Sequence, residues 1–236
     1  LDLIETARTS RGAEVNDLLV KLTRLPIGDH DTDSTRHSAL ETLVWRVQHR
    51  DFNPEPLIEL VDHRDVETRV TAAEALAYAQ RSEGVKLLVG VARDRHEGYA
   101  LRERSVNALG ASGDLRAVQT LLHLFDDQED CLRSEALEAL SYMRDSEVAD
   151  EILSRLIDAL EDHEFTEVAI KGLKHFDHAD GWEAMRRKLN TARASSWINE
   201  ALAAALADDP SRDVLPLFER VVAESDLYNS DTRVKA

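Results

Sequence analysis

The chain carries one cysteine, Cys131, in 236 residues. That excludes an intrachain disulfide and any zinc site built on paired cysteines. Five prolines and nine glycines are too few for the frequent tight turns of an all-β protein. Aromatic residues make up only 5%. No apolar run approaches the ~18 residues of a membrane span, so no membrane association is expected. Basic residues are outnumbered: 29 Lys and Arg stand against 46 Asp and Glu, a net charge of −17. Phosphate tracking needs a basic face, and this field repels nucleic acids and anionic membranes while favouring basic partners. Direct nucleic-acid binding is therefore not expected. Catalytic signatures are missing as well, with no Gly-x-Ser-x-Gly elbow, phosphate-binding glycine loop, His-Glu-x-x-His pair or dinucleotide fingerprint.

What the sequence has is a repeat. Thr35-Arg36 through Thr42-Leu43 recurs as Thr68-Arg69 through Ala75-Leu76, Leu101-Arg102 through Ala108-Leu109 and Leu132-Arg133 through Ala139-Leu140. Phe165-Thr166 through Gly172-Leu173 and a diverged Ile198-Asn199 through Ala205-Leu206 continue the series. The anchor runs 36, 69, 102, 133, 166, 199, a spacing of 33, 33, 31, 33 and 33. Counting from the anchor, positions +3, +4, +7 and +10 are mostly apolar or small, which is one face of an α-helix. The small residue at +3 (Ala39, Ala72, Ser105, Ala136, Ala169) lets a neighbouring helix approach closely. An apolar segment precedes each copy, for example Pro56 to Val61, Val85 to Ala92, Ala117 to Phe125 and Val148 to Leu160. The unit is thus a helix pair, with the anchor on the second helix.

The pattern Val/Leu-Arg-x-x-Ala-x-x-Ala-Leu, preceded by an Asp-bearing turn, resembles the HEAT-like repeats of the phycobilisome-lyase type. The resemblance covers nearly the whole chain. It implies an all-α, right-handed α-α superhelix, an ARM-like solenoid of about six helix pairs with partial terminal repeats. The expected units are 10–49, 54–80, 84–113, 115–144, 147–177 and 180–209, with a truncated unit at 212–236, all in one array over 1–236. The chain opens at Leu1, and Thr232-Arg233-Val234 restarts the repeat at its end, so a fragment of a longer protein is expected. Asp29, Asp62, Asp126 and Asp226 each stand seven residues before Arg36, Arg69, Arg133 and Arg233. The resemblance implies that such Asp and Arg residues, with Arg102, tie neighbouring units together through charge-assisted hydrogen bonds.

A search for chemistry returns little. HEAT-repeat deoxyhypusine hydroxylases carry His-Glu pairs directly after the repeat Arg. Here Ser38 follows His37, and the pairs His96-Glu97 and His163-Glu164 lie before the anchor. Alkylpurine glycosylases built on similar repeats need a basic groove with aromatics; Trp45, Trp182 and Trp197 are present, but the charge is opposed. His175, Asp177, His178 and Asp180 are the densest group of metal-binding residue types, although short Asp/His turns also cap helices. Cys131 opens a second helix, and partial burial suits it better than nucleophilic chemistry. No catalytic residue, metal or cofactor is expected.

The second helices of such arrays line the concave side. Position +5 holds Glu41, Glu74, Asn107, Glu138 and Lys171, and position +9 holds Trp45, Tyr78, Ala111, Tyr142 and His175. Carboxylates between aromatic rungs suit a basic or extended peptide, through contact area, cation–π attraction and steering. A solvated face with packing aromatics is the plainer alternative. The expected function is a non-catalytic interaction scaffold, monomeric and cytoplasmic, binding a protein or peptide through Glu41, Trp45, Glu74, Tyr78, Asn107, Glu138, Tyr142 and His175. The alternatives are an enzyme subunit of the lyase-like group, or a docking arm for a catalytic or nucleic-acid-processing domain elsewhere in the parent chain.

Overall fold

The computed structural model describes residues 12–28, 30–128, 130–145, 147–191, 197–211, 215–217 and 219. Asp29, Asp226 and Arg233 lie outside the described residues, as does most of 212–236. The chain forms two compact units, Leu1–Ala139 and Leu140–Ala236. Among the described residues all regular structure is helical.

In the first unit, α1 (Ala13–Thr23) pairs with α2 (His30–Gln48), and a 3-10 helix (Glu55–Asp62) precedes α3 (Val66–Tyr78). Next come α4 (Ser82–Arg93) with α5 (Tyr99–Ser112), and α6 (Val118–Asp126) with α7 (Arg133–Ser141), whose end crosses into the second unit. The second unit continues with α8 (Ala149–Ala159) and α9 (Thr166–Phe176), then α10 (Ala179–Thr191) and α11 (Trp197–Leu206). Six helix pairs are therefore seen among the described residues, each with its repeat anchor at or near the start of the second helix. One first helix departs from the expected α form. The segment Glu55–Asp62 is short and 3-10, opening with the Leu57 amide donating to Pro54 O at 2.8 Å, and Pro54 and Pro56 sit at its start, where a missing N–H costs little.

The periodic positions make the core. Leu43, Leu76, Leu109, Leu140, Leu173 and Leu206, all at +7, are fully buried. So are the small +3 residues Ala39, Ala72, Ser105, Ala136 and Ala169. Helix α3 shows why small residues are needed. Val70 through Ala77 is buried without interruption, because neighbours cover this alanine-rich helix on more than one side. Alanine favours the helix and lets those neighbours approach. Gly84 on α4 has the same logic, since an added Cβ would lie 2.4 Å from the Ala73 carbonyl oxygen. At Gly110 of α5 a Cβ would come within 2.7 Å of Ala139 on α7.

Among the described residues, α2, α3, α5 and α9 end in a left-handed residue, which is glycine only at Gly113; Arg50, Gln80 and Asp177 occupy the others. After α3, the Gln80 amide donates to Ala77 O and the Arg81 amide to Leu76 O, both at 2.8 Å. This Schellman pairing satisfies carbonyls that the helix itself leaves open. It turns the chain sharply into the next first helix.

Candidate interaction surface

The repeat anchors are structural, and they act on backbone first. Each reaches a carbonyl at or just past the C-terminus of the first helix in its own pair. Arg36 Nη1 donates to Leu25 O (3.4 Å), Arg69 Nη1 to His63 O (2.9 Å), Arg102 Nε to Ala92 O (3.0 Å) and Arg133 Nε to Phe125 O (2.9 Å). A cation at a helix C-terminus also opposes the helix dipole. Thr166, at the fifth anchor, donates its hydroxyl to Asp162 O at 2.7 Å, with Leu160 O further off at 3.3 Å.

Two anchors also bridge to the next pair. Arg36 donates to Thr68 Oγ1 at 3.3 Å and lies 3.9 Å from Asp65, while Arg102 donates to Asp130 Oδ2 at 2.5 Å. Asp65 and Asp130 in turn accept from the Thr68 and Leu132 amides and so start α3 and α7. Burial raises the Asp65 carboxyl, but the Thr68 hydroxyl and amide and Arg36 outweigh it, so the net shift is downward. These bridging acids stand four and three residues before Arg69 and Arg133, not at the seventh position before the anchor. Asp62 and Asp126 at that position are exposed.

The expected binding residues divide into four groups. Glu41, Asn107 and Glu138 are exposed on α2, α5 and α7. Trp45 and Tyr78 are half-buried, with the Trp45 ring stacked on His49 at 4.0 Å. Tyr142 and His175, in the second unit, are exposed and meet edge-to-face at 4.5 Å. Glu74 does not fit the expectation. It is only 7% exposed, and Arg104 of α5 holds both its oxygens, at 2.5 and 2.8 Å, while also reaching Thr71 Oγ1. Burial pushes the Glu74 carboxyl above the usual range, against the pull of Arg104. A carboxylate held this way offers nothing to a partner.

Tyr78 occupies a focal position. It lines a cleft of about 890 Å3 with Gln48, Arg50, Phe52 and Gln80, and a second of about 370 Å3 with Glu103, Arg104 and Asn107. Burial and the adjacent Glu74 raise its phenol. Tyr99 was not anticipated from the sequence. Its hydroxyl donates to Glu135 at 2.9 Å, and that bond, with burial, pushes the phenol up to about 12.

The histidine-aspartate group near residue 177 separates into local contacts. Asp177 accepts from the Trp182 indole at 2.9 Å, His178 Nδ1 accepts from the Asp180 amide at 3.3 Å, and His175 packs on Tyr142. Among the described residues no three His, Cys, Asp or Glu side chains are grouped to hold a metal, and no helix is long and apolar enough to cross a membrane. Cys131 is exposed, and Arg102 Nη1 lies 3.9 Å from its sulfur.

The family model of HEAT repeats matches residues 54–141. Residues 54–141 therefore read as HEAT repeats. A solved structure similar to the chain is the complex of CpcE and CpcF of phycocyanin lyase from Nostoc sp. PCC7120. Identity is 18%, with 92% of this chain and 83% of that chain covered and a TM-score of 0.48. No curated protein matches the chain.

Proposed function

We propose that this chain is a HEAT-like, non-catalytic scaffold whose second helices offer an acidic, partly aromatic surface to a basic protein or peptide segment. Repeats of this type stack into extended surfaces suited to partner docking. The observation that supports the reading most is Tyr78. Its half-buried ring lines both clefts, beside exposed Asn107 and the carboxylate of Glu103. An aromatic ring held at its base and open at its edge supplies contact area with little loss of side-chain freedom on binding. Glu41 and Glu138 add exposed carboxylates on the neighbouring helices, and a net charge of −17 steers cationic segments toward them.

The test is photo-crosslinking from a probe at Asn107, in lysate of the source cells, followed by mass spectrometry. The expected result is a specific protein crosslinked through a lysine- or arginine-rich segment, with capture lost in the Glu41→Lys/Glu138→Lys variant. Crosslinking that survives those substitutions contradicts the proposal.

A further inference from the structure

The first helices carry a feature that the second-helix surface leaves unexplained. In the first compact unit, an apolar cleft of about 490 Å3 lies between the end of the 3-10 helix Glu55–Asp62 and α4. Val61, Leu87, Gly90 and Val91 supply its apolar lining. Its charged lining is Asp62, Glu83, Asp94 and Glu97, offset by Lys86 alone. Glu83 has Arg81 3.9 Å away, and no ion pair among the described residues engages Asp62, Asp94 or Glu97.

Gly90 is the second observation. It sits inside α4, exposed, and an added Cβ would meet nothing within 4 Å. Glycine weakens a helix relative to alanine, because it has more backbone freedom to lose. Gly84 on the same helix is explained by the Ala73 carbonyl 2.4 Å from where its Cβ would be. Gly90 has no such reason within the chain. A partner pressed against α4 would supply one.

We propose that this cleft docks a short basic segment of another protein. One or two aliphatic side chains seat on Leu87, Gly90 and Val91, and flanking Lys or Arg residues face Asp62, Glu83, Asp94 and Glu97. The charge of the lining decides the chemistry of the flanks, and the open ground over Gly90 decides where the anchor goes. None of these residues belongs to the surface around Tyr78, so the two sites stand or fall separately.

The probe is a synthetic peptide with two central leucines and three lysines on either side, titrated into the full 15N-labelled chain. The amide signals of Leu87, Gly90 and Val91 should shift saturably. Gly90→Arg, which fills the cleft without meeting a neighbour, should weaken binding at least tenfold with the fold intact by amide dispersion. Asp62→Lys/Glu97→Lys should do the same independently. Asp150→Lys/Asp158→Lys, with an equal charge change on exposed positions of α8, should leave affinity unchanged. Replacing the leucines by serine should abolish the shifts. The proposal is overturned if the serine peptide binds equally well, if the shifts fall on α2 and α5 instead, or if both cleft variants bind like the wild type.

Discussion

Arg102 and Asp130 meet at 2.5 Å with side chains only 6% and 2% exposed. Because Arg102 also holds Ala92 O and Asp130 holds the Leu132 amide, one ion pair joins the end of α4 to the start of α7. Breaking a buried pair from one side strands a charge away from water, at a cost of about 3–5 kcal/mol. Arg102→Ala should therefore lower the unfolding free energy by that order in urea titration. Asp130→Asn, which keeps an acceptor for the amide, should lose less. A change below about 1 kcal/mol for Arg102→Ala would show the pair to be incidental.

Gly84 and Gly90 lie on one helix and should respond in opposite directions to alanine. Gly84→Ala forces a Cβ against the Ala73 carbonyl, and overpacking of this kind costs about 1–3 kcal/mol. Gly90→Ala meets open space and should stabilise by up to about 1 kcal/mol through helix propensity. Thermal unfolding of the two variants checks both signs together.

The Glu74–Arg104 pair predicts a pH dependence. Burial already raises the Glu74 carboxyl, and Arg104 opposes that shift. In Arg104→Ala the folded-state pKa moves further above the unfolded value, so the folded state binds a proton that the unfolded chain releases. Stability then rises as pH falls through that window. Arg104→Ala should be destabilised at pH 7, and its deficit against the wild type should shrink at pH 5. A deficit that grows on acidification would reverse the assignment.

The repeat was legible because a helix imposes a period. The +3 and +7 positions must face the neighbours, and Ala39, Leu43, Ala72 and Leu76 are buried accordingly. The spacing located the anchors, and the resemblance implied that they tie units together, but neither named their partners. Arg102 reaches Asp130 at the start of α7, while Arg36 sits 2.9 Å from Asp33 of its own helix and 3.9 Å from Asp65, and that depends on how far a guanidinium extends past a turn. Glu74 looked like its neighbours in the +5 column, yet Arg104, thirty residues on, sequesters it. Only the stacking of α3 on α5 brings the two together. Left-handed helix ends at Arg50, Gln80 and Asp177 gave no glycine signal to read. The cleft beside Gly90 joins two first helices from adjacent pairs, a juxtaposition that no single stretch of sequence carries.

The scaffold reading is tested most directly by calorimetric titration of the crosslinked partner, once purified, against the chain at several salt concentrations. Affinity should fall with rising salt, and Glu41→Lys/Glu138→Lys combined with Tyr78→Ala should weaken it at least tenfold without unfolding the chain. Affinity indifferent both to salt and to these three substitutions would contradict an acidic, aromatic docking surface on the second helices.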